Sequence, residues 1–251
     1  MARVSNISWT DSTWNPFTGC RKVSEACKFC YMHRILEKNG LNPNTVLLNK
    51  VELDKPLRWL NGRKIFTCSM SDFFIEEADN WRDEVWEIIK KTPQHDYLIL
   101  TKRPERIKSS LPKDWSVINY PNVWLGVTVE NQQTIERIHF LKDIECSIKW
   151  VSFEPLLSEI YLTSKELSII NWAVIGGESG NLTGDYKFRK TELSWFLSLM
   201  YQLRSEQIPI FFKQFGSWYH HNRFMLKDWK GEKYCQNFPL SFQIRNYPKK
   251  D

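Results

Sequence analysis

The sequence predicts an α/β fold, a partial (β/α) barrel of the TIM type with about six or seven parallel strands. Short β-branched or aromatic runs alternate with segments of helical period, which is typical of a parallel sheet with crossover helices. Hydrophobic residues make up 42% of the 251 positions, enough for a large core. Polar residues follow each run, as expected where strands end at a functional edge.

The expected elements follow one another along the chain. A first strand leads into Cys20, and later strands are expected at 64–70, 97–101, 123–129, 148–153, 172–175 and 208–213. Two helices are expected between them, at 79–91 and 191–204. Their apolar stripes, which we expect in the core, are Trp81, Val85, Trp86, Ile88 and Ile89 in the first and Leu193, Phe196, Leu197, Met200 and Leu203 in the second.

We expect one domain, because the sequence shows no internal repeat, low-complexity tract or linker. Residues 1–216 would form the barrel, and 217–251 a basic, irregular C-terminal extension packed on it. From Lys187 onward there are 12 Lys+Arg against 5 Asp+Glu, although the net charge of the whole chain is +6. A basic surface of this kind favours a polyanionic partner, and a solvated face without a ligand is the alternative.

Six polar segments follow the expected strands, at 69–72, 101–103, 128–131, 152–155, 176–180 and 213–214. In α/β barrels the carboxyl ends of the strands share one edge, where ligands bind and catalytic groups converge. Any single segment could be only a turn or a helix cap. The six together predict an active site on this edge.

Three cysteines, Cys20, Cys27 and Cys30, lie within eleven residues of one another. Three thiolates can hold three corners of a cubic iron–sulfur cluster and leave the fourth iron open to a small molecule, whereas electron carriers usually have four cysteines. The alternative is a Cys3His zinc site completed by His33, although no second ligand pair is present in the sequence. With no signal peptide we expect reduced thiols and a cytoplasmic protein. No apolar run approaches the ~20 residues of a membrane span, so no membrane partner is expected.

Several motifs resemble a phage-associated family of uncharacterised three-cysteine proteins, named after gene products thirty-seven and sixty-eight, in the radical S-adenosylmethionine superfamily. The resemblance covers nearly the whole chain. Besides the three cysteines, its motifs are Ile7-Ser8-Trp9-Thr10-Asp11, Thr13-Trp14-Asn15-Pro16, Ser69-Met70-Ser71-Asp72, Leu100-Thr101-Lys102-Arg103-Pro104, Val123-Trp124-Leu125-Gly126-Val127, Ser152-Phe153-Glu154-Pro155-Leu156-Leu157, Gly176-Gly177-Glu178-Ser179-Gly180 and Lys213-Gln214-Phe215-Gly216. The first interval between cysteines is six residues, where the superfamily usually has three.

The resemblance implies a [4Fe-4S] cluster on Cys20, Cys27 and Cys30 that binds S-adenosylmethionine. Phe29 would lie against the adenine. The segment that would hold the methionine amino group comprises Ser69, Ser71 and Asp72. Thr128 and Glu130 are candidates for the ribose hydroxyls, and Lys102 or Arg103 for the methionine carboxylate or a substrate phosphate.

The implied reaction begins when a donor such as flavodoxin supplies an electron, and a 5′-deoxyadenosyl radical then takes a hydrogen atom from a substrate. Glu154 and Glu178 would bind a substrate hydroxyl or amine, or else cap a helix or pair with Lys213. Cys68 would pass a hydrogen atom, as a cysteine does in spore photoproduct lyases, whose barrel is similar. The alternative role for Cys68 is that of a small buried hydrophobe.

A nucleic acid or nucleotide is the favoured substrate, which points to DNA modification or repair. The grounds are the basic C-terminal third, the aromatic residues interleaved with charges at 218–224, and the phage association. Two alternatives remain. One is a radical enzyme for a small molecule or peptide, and the other is a zinc-stabilised nucleic-acid-binding module without catalysis.

Overall fold

A seven-stranded sheet forms the centre of the computed structural model, which describes residues 5, 7–181, 184–222 and 240–249. Every neighbouring pair in this sheet is parallel. Its strands, in spatial order, are β1 (Ser12–Trp14), β4 (Lys64–Thr67), β5 (Asp96–Thr101), β6 (Val123–Thr128), β7 (Ile148–Phe153), β8 (Trp172–Gly176) and β9 (Ile210–Gln214). A separate antiparallel pair consists of β2 (Phe17–Thr18) and β3 (Leu47–Leu48).

Spatial order and chain order agree along the whole seven-stranded sheet. The strand order therefore has no reversal of the kind that creates the binding crevice of a doubly wound sheet. Successive crossovers in one direction curl the sheet into an open half-barrel. The predicted partial barrel of about seven parallel strands is confirmed.

Helices cover one face of the sheet. They are α1 (Tyr31–Lys38), α2 (Lys50–Leu53), α3 (Asp79–Lys91), α4 (Ile107–Ser110), α5 (Ser164–Leu167), α6 (Leu193–Ser205) and α7 (Ser217–His221), with a long 3₁₀ helix at Gln132–Leu141. Buried side chains of α3 and α6, such as Trp86 and Phe196, share one core cluster with the alternate strand residues that point outward. The predicted helix at 79–91 is confirmed at both ends.

Leu193 and Leu197 are the exceptions to the predicted apolar stripes. They are 41% and 47% exposed, although we expected both in the core. The buried face of α6 instead comprises Phe196, Leu199, Met200 and Leu203. The apolar periodicity predicted the presence of α6 correctly. The apolar stripe is wider than the surface that packs on the sheet, so the sequence does not show which edge of the stripe is buried.

Aromatic rings fill the concave face of the half-barrel. The second core cluster comprises Trp9, Phe66, Leu98, Trp124, Ile148, Trp150, Trp172, Val174 and Phe211. Gly126 is required there, because a Cβ on this residue would lie 2.4 Å from an indole carbon of Trp150. These tryptophans are therefore core residues.

The C-terminal segment closes this concave face. Tyr247 stacks on Trp172 with ring centroids 5.5 Å apart, and the indole N–H of Trp172 donates to the Asn246 carbonyl at 2.8 Å. Residues 223–239, which include part of the aromatic and basic segment at 218–224, lie outside the described residues. The division at residue 216 stays a prediction. In the part of the chain that the structure describes, no helix has the length and apolar character needed to cross a membrane.

Candidate functional site

The six polar segments meet at one edge of the sheet, because all seven strands run in the same direction. Hydrogen bonds join neighbouring segments. Thr101 donates to Asp72 at 2.7 Å across β4 and β5, and the amide of Val129 donates to the Ser152 carbonyl at 3.0 Å across β6 and β7. Lys213 reaches Glu154 at 2.6 Å. We call this edge the rim.

The loop that carries the three cysteines, residues 19–30, is tied to the rim at its start. Ser71 donates from its hydroxyl to the Gly19 carbonyl at 2.6 Å, and the amide of Gly19 donates to the Met70 carbonyl at 3.0 Å. Asn15 accepts from the Ser69 hydroxyl at 3.1 Å and from the Met70 amide at 2.8 Å. Ser71 therefore holds the backbone of this loop, whereas the Ser69 hydroxyl binds Asn15, a residue that the sequence did not single out for this role.

Asp72 binds the segment at the end of β5. Its carboxylate accepts from the Thr101 hydroxyl, the Lys102 amide and the Phe74 amide at 2.7 to 3.0 Å. Arg103 lies 3.3 Å from the same carboxylate. Asp72 is only 6% exposed, so its hydrogen bonds serve the fold in this structure.

The cations after β5 lie beside the cysteine thiols. Arg103 donates to Cys20 Sγ at 3.6 Å and to the Arg21 carbonyl at 2.9 Å. Burial, followed by the charge of Asp72, raises the pKa of Cys20 to about 11 in spite of Arg103. Burial also tends to raise the pKa of Cys27, but the charge of Lys102 and hydrogen bonds with Val23 and Ser24 outweigh it, so the pKa of that thiol is lowered.

Cys30 lies at the N-terminal end of α1, and all three thiols are free and partly buried. Among the described residues, no three His, Cys, Asp or Glu side chains form a group that could hold a metal ion. His33, the expected fourth ligand of a zinc site, is 3% exposed on α1. The feature that fits a cluster is the donor set, three thiols on one loop, of which Cys27 lies where the charge of Lys102 favours the thiolate form. The cluster stays a proposal.

Cys68 lies directly after β4 with a left-handed backbone, at φ +63°. It is 3% exposed and belongs to the core cluster that α3 and α6 form with the sheet. Burial raises the pKa of this thiol well above its usual value. Its surroundings match the alternative role of a small buried hydrophobe.

Thr128 and Glu130 at the end of β6 are almost completely buried, at 1% and 0% exposure. Arg137 donates to Glu130 Oε2 and to the Thr128 carbonyl at 2.7 and 2.9 Å. Thr128 Oγ1 and Glu130 Oε1 have no hydrogen-bond partner among the residues that the structure describes. Buried polar atoms normally have partners, so these two oxygens are consistent with a ligand.

Glu154, at the end of β7, forms an ion pair with Lys213. Lys213 and Gln214 of β9 donate to the same carboxylate oxygen at 2.6 and 3.2 Å. A Cβ on Gly176 would lie 3.1 Å from the Glu154 carboxyl carbon. The pairing with Lys213 that the sequence left open is therefore present.

Glu178 pairs with Arg189, a residue that sequence reasoning missed. The backbone amide, Nε and Nη2 of Arg189 all donate to the Glu178 carboxylate, at 2.7, 2.8 and 2.5 Å. The same guanidinium donates to the carboxylate and carbonyl of Glu25 in the cysteine loop, both at 3.0 Å, and lies 5.4 Å from the centre of the Phe29 ring. Arg189 thus joins the loop to the rim. No sequence signal indicated this pair, because the burial of Glu178, which makes a cation necessary, is known only from the structure.

A cleft of about 620 Å³ opens beside the cysteine loop, and we call it the rim cleft. Its walls are Arg21 and Val23 of the loop, residues 75–77 after β4, residues 102–106 after β5, and Glu136, Arg137 and Phe140 of the 3₁₀ helix. Lys102 and Arg103 therefore border both the thiols and this cleft.

Fold and rim together define a class of protein, a partial α/β barrel with a thiol-bearing loop over the carboxyl edge of its sheet. The chain belongs to the family described as protein of unknown function DUF5131, whose sequence profile matches residues 4–239. No curated protein and no solved structure matches the chain significantly.

Proposed function

We propose that this protein is a radical S-adenosylmethionine enzyme whose [4Fe-4S] cluster is held by Cys20, Cys27 and Cys30. The observation that carries the proposal is the position of three free thiols on one loop at the carboxyl edge of a parallel half-barrel. The substrate proposed is a nucleic acid or nucleotide, as in DNA modification or repair. When bound and reduced by a donor such as flavodoxin, the cluster and S-adenosylmethionine supply a 5′-deoxyadenosyl radical for hydrogen abstraction.

The protein's own groups would position these partners. Arg103 holds Cys20 and the loop backbone, and Arg189 holds the loop at Glu25. The unpartnered oxygens of Thr128 and Glu130 would accept hydrogen bonds from the hydroxyl groups of a bound ribose. Phe29, whose ring centre lies 5.4 Å from both Lys28 and Arg189, would contact the adenine.

An anaerobic assay tests the proposal. The protein is reconstituted with iron and sulfide, mixed with S-adenosylmethionine and a strong reductant, and analysed for 5′-deoxyadenosine by chromatography with mass detection. We expect a brown protein that forms 5′-deoxyadenosine, and inactive variants for each of Cys20→Ala, Cys27→Ala and Cys30→Ala. A colourless, zinc-loaded protein that forms none, and loses its metal in His33→Ala, would replace this proposal with the binding-module alternative.

A further inference from the structure

We propose that the rim cleft binds a small ligand with one anionic group and a flat apolar body, of the size and chemistry of a free nucleoside monophosphate. This inference rests on the proposed function and narrows its substrate class. The cleft volume of about 620 Å³ lies in the range of small-molecule sites. The charges of its walls indicate the anionic group, and their apolar side chains indicate the flat body.

Four of the five cations that line the cleft already have carboxylate partners. Those pairs are Arg21 with Glu77, Arg103 with Asp72, Arg106 with Asp79, and Arg137 with Glu130. Lys102 alone has no carboxylate partner in the ranges that the structure describes. One unpaired ammonium group can bind one phosphate or carboxylate as a point charge.

The arrangement of charge in the cleft disfavours a longer polyanion. Arg103 and Arg137 are buried, each 8% exposed, and the exposed Arg21 is paired with Glu77. The carboxylates Glu76, Glu105 and Glu136 are exposed on the walls of the cleft. A nucleic-acid strand carries a phosphate on every nucleotide, so its flanking phosphates would lie near these acids. A ligand whose single anion enters the cleft avoids this repulsion.

Two apolar side chains border the opening. Phe140 is 46% exposed and Val23 is 47% exposed, and both line the cleft. Phe140 and Lys102 line the same cleft, so a base could stack on the half-exposed phenylalanine while its phosphate binds the ammonium group. A base with one phosphate therefore matches both features of the site.

The test measures binding to the cluster-free protein by calorimetry, with deoxynucleoside monophosphates, the corresponding nucleosides and a ten-nucleotide single strand. We expect the monophosphates to bind more tightly than the nucleosides. Lys102→Gln should raise their Kd by roughly tenfold to a hundredfold, the effect of removing a charged hydrogen bond. Phe140→Ala should raise it by at least about fivefold, through lost stacking. Lys108→Gln is the matched control, because Lys108 is exposed on α4 outside the cleft, and it should leave the Kd unchanged.

Three results would overturn the proposal. The first is no monophosphate binding, or binding that Lys102→Gln and Phe140→Ala do not change while circular dichroism shows both variants folded. The second is tighter binding of the strand with a steep salt dependence, which is the behaviour of a multi-phosphate contact. The third is full displacement by S-adenosylmethionine together with an equal loss of its affinity in Lys102→Gln, which would assign the cleft to the cofactor. Because no cluster or reductant is present, these outcomes are independent of 5′-deoxyadenosine formation.

Discussion

Replacing Arg189 with alanine should destabilise the protein strongly, because the guanidinium is the side-chain partner of a buried carboxylate. Glu178 is 4% exposed and accepts two hydrogen bonds from this side chain. Removal of one partner from a buried ion pair costs about 3–5 kcal/mol, since the other charge stays buried and unpaired. The backbone amide of residue 189 still donates to Glu178, so we expect a loss near ~3 kcal/mol. The contact with Glu25 adds little, because that carboxylate is 70% exposed.

Urea unfolding followed by tryptophan fluorescence would measure this loss of unfolding free energy. For a chain of this size ~3 kcal/mol corresponds to a fall in Tm of roughly 6–12 °C. The double variant Glu178→Gln with Arg189→Ala is the informative control, because the neutral amide leaves no buried charge without a partner. It should recover a large part of the lost unfolding free energy. Arg189→Lys should be intermediate, since a lysine keeps the charge without the paired donors.

A second readout separates the loop from the rest of the fold. Arg189→Ala should also increase amide hydrogen exchange in residues 20–30, because the guanidinium no longer holds the Glu25 carbonyl. Exchange in β5 and β6 should change less. The reasoning is refuted by a destabilisation below about 1 kcal/mol, or by a double variant no more stable than Arg189→Ala.

Two further predictions concern the core and the response to acid. Gly126→Ala should lower the unfolding free energy by about 1–3 kcal/mol or prevent folding, because its methyl group would overlap the Trp150 indole. Adding Trp150→Leu to the same chain should recover part of this loss. Equal stability of Gly126→Ala and wild type in urea would contradict the prediction. At Asp79 burial acts against the charged form, but hydrogen bonds from Arg106 and Arg82 prevail and lower the pKa of the carboxyl group. The stability that this pair contributes is therefore present above the pKa of the unfolded chain and is lost as the pH falls through the lower pKa of the folded chain. Asp79→Asn should be less stable than wild type at pH 7, and the difference should shrink toward pH 3; a constant difference across that range would show that this carboxyl group does not contribute.

The sequence determined the fold class to the level of individual strands. The strand Ile148–Phe153 and the helix Asp79–Lys91 were predicted with their observed bounds. Both have strong signals, a β-branched and aromatic run in one case and an apolar stripe of helical period in the other. Because crossover connections keep strands parallel, the sequence also placed the polar segments on one edge.

The partners of the rim side chains could not be predicted from the sequence. Glu178 and Arg189 are eleven residues apart, and Glu25 is 164 residues from Arg189, yet one guanidinium joins all three. Ser69, Ser71 and Asp72 were assigned to a cofactor from their position. In the structure their side chains form hydrogen bonds with Asn15, with Gly19 of the cysteine loop and with Thr101 at the end of β5, respectively. A polar residue at the end of a strand has several neighbours within reach, and local sequence does not choose among them.

Sequence alone therefore determined which residue types reach the carboxyl edge, because strand period and parallel connection are local properties of the chain. Tertiary structure decided which of these residues remain available to bind a ligand. Lys102 and Arg103 are adjacent in sequence, but Arg103 is committed to Asp72 and Cys20 while Lys102 lines the cleft without a carboxylate partner in the described part of the chain. Pairing depends on distances of a few ångströms between segments far apart in sequence, and only the packed sheet fixes those distances.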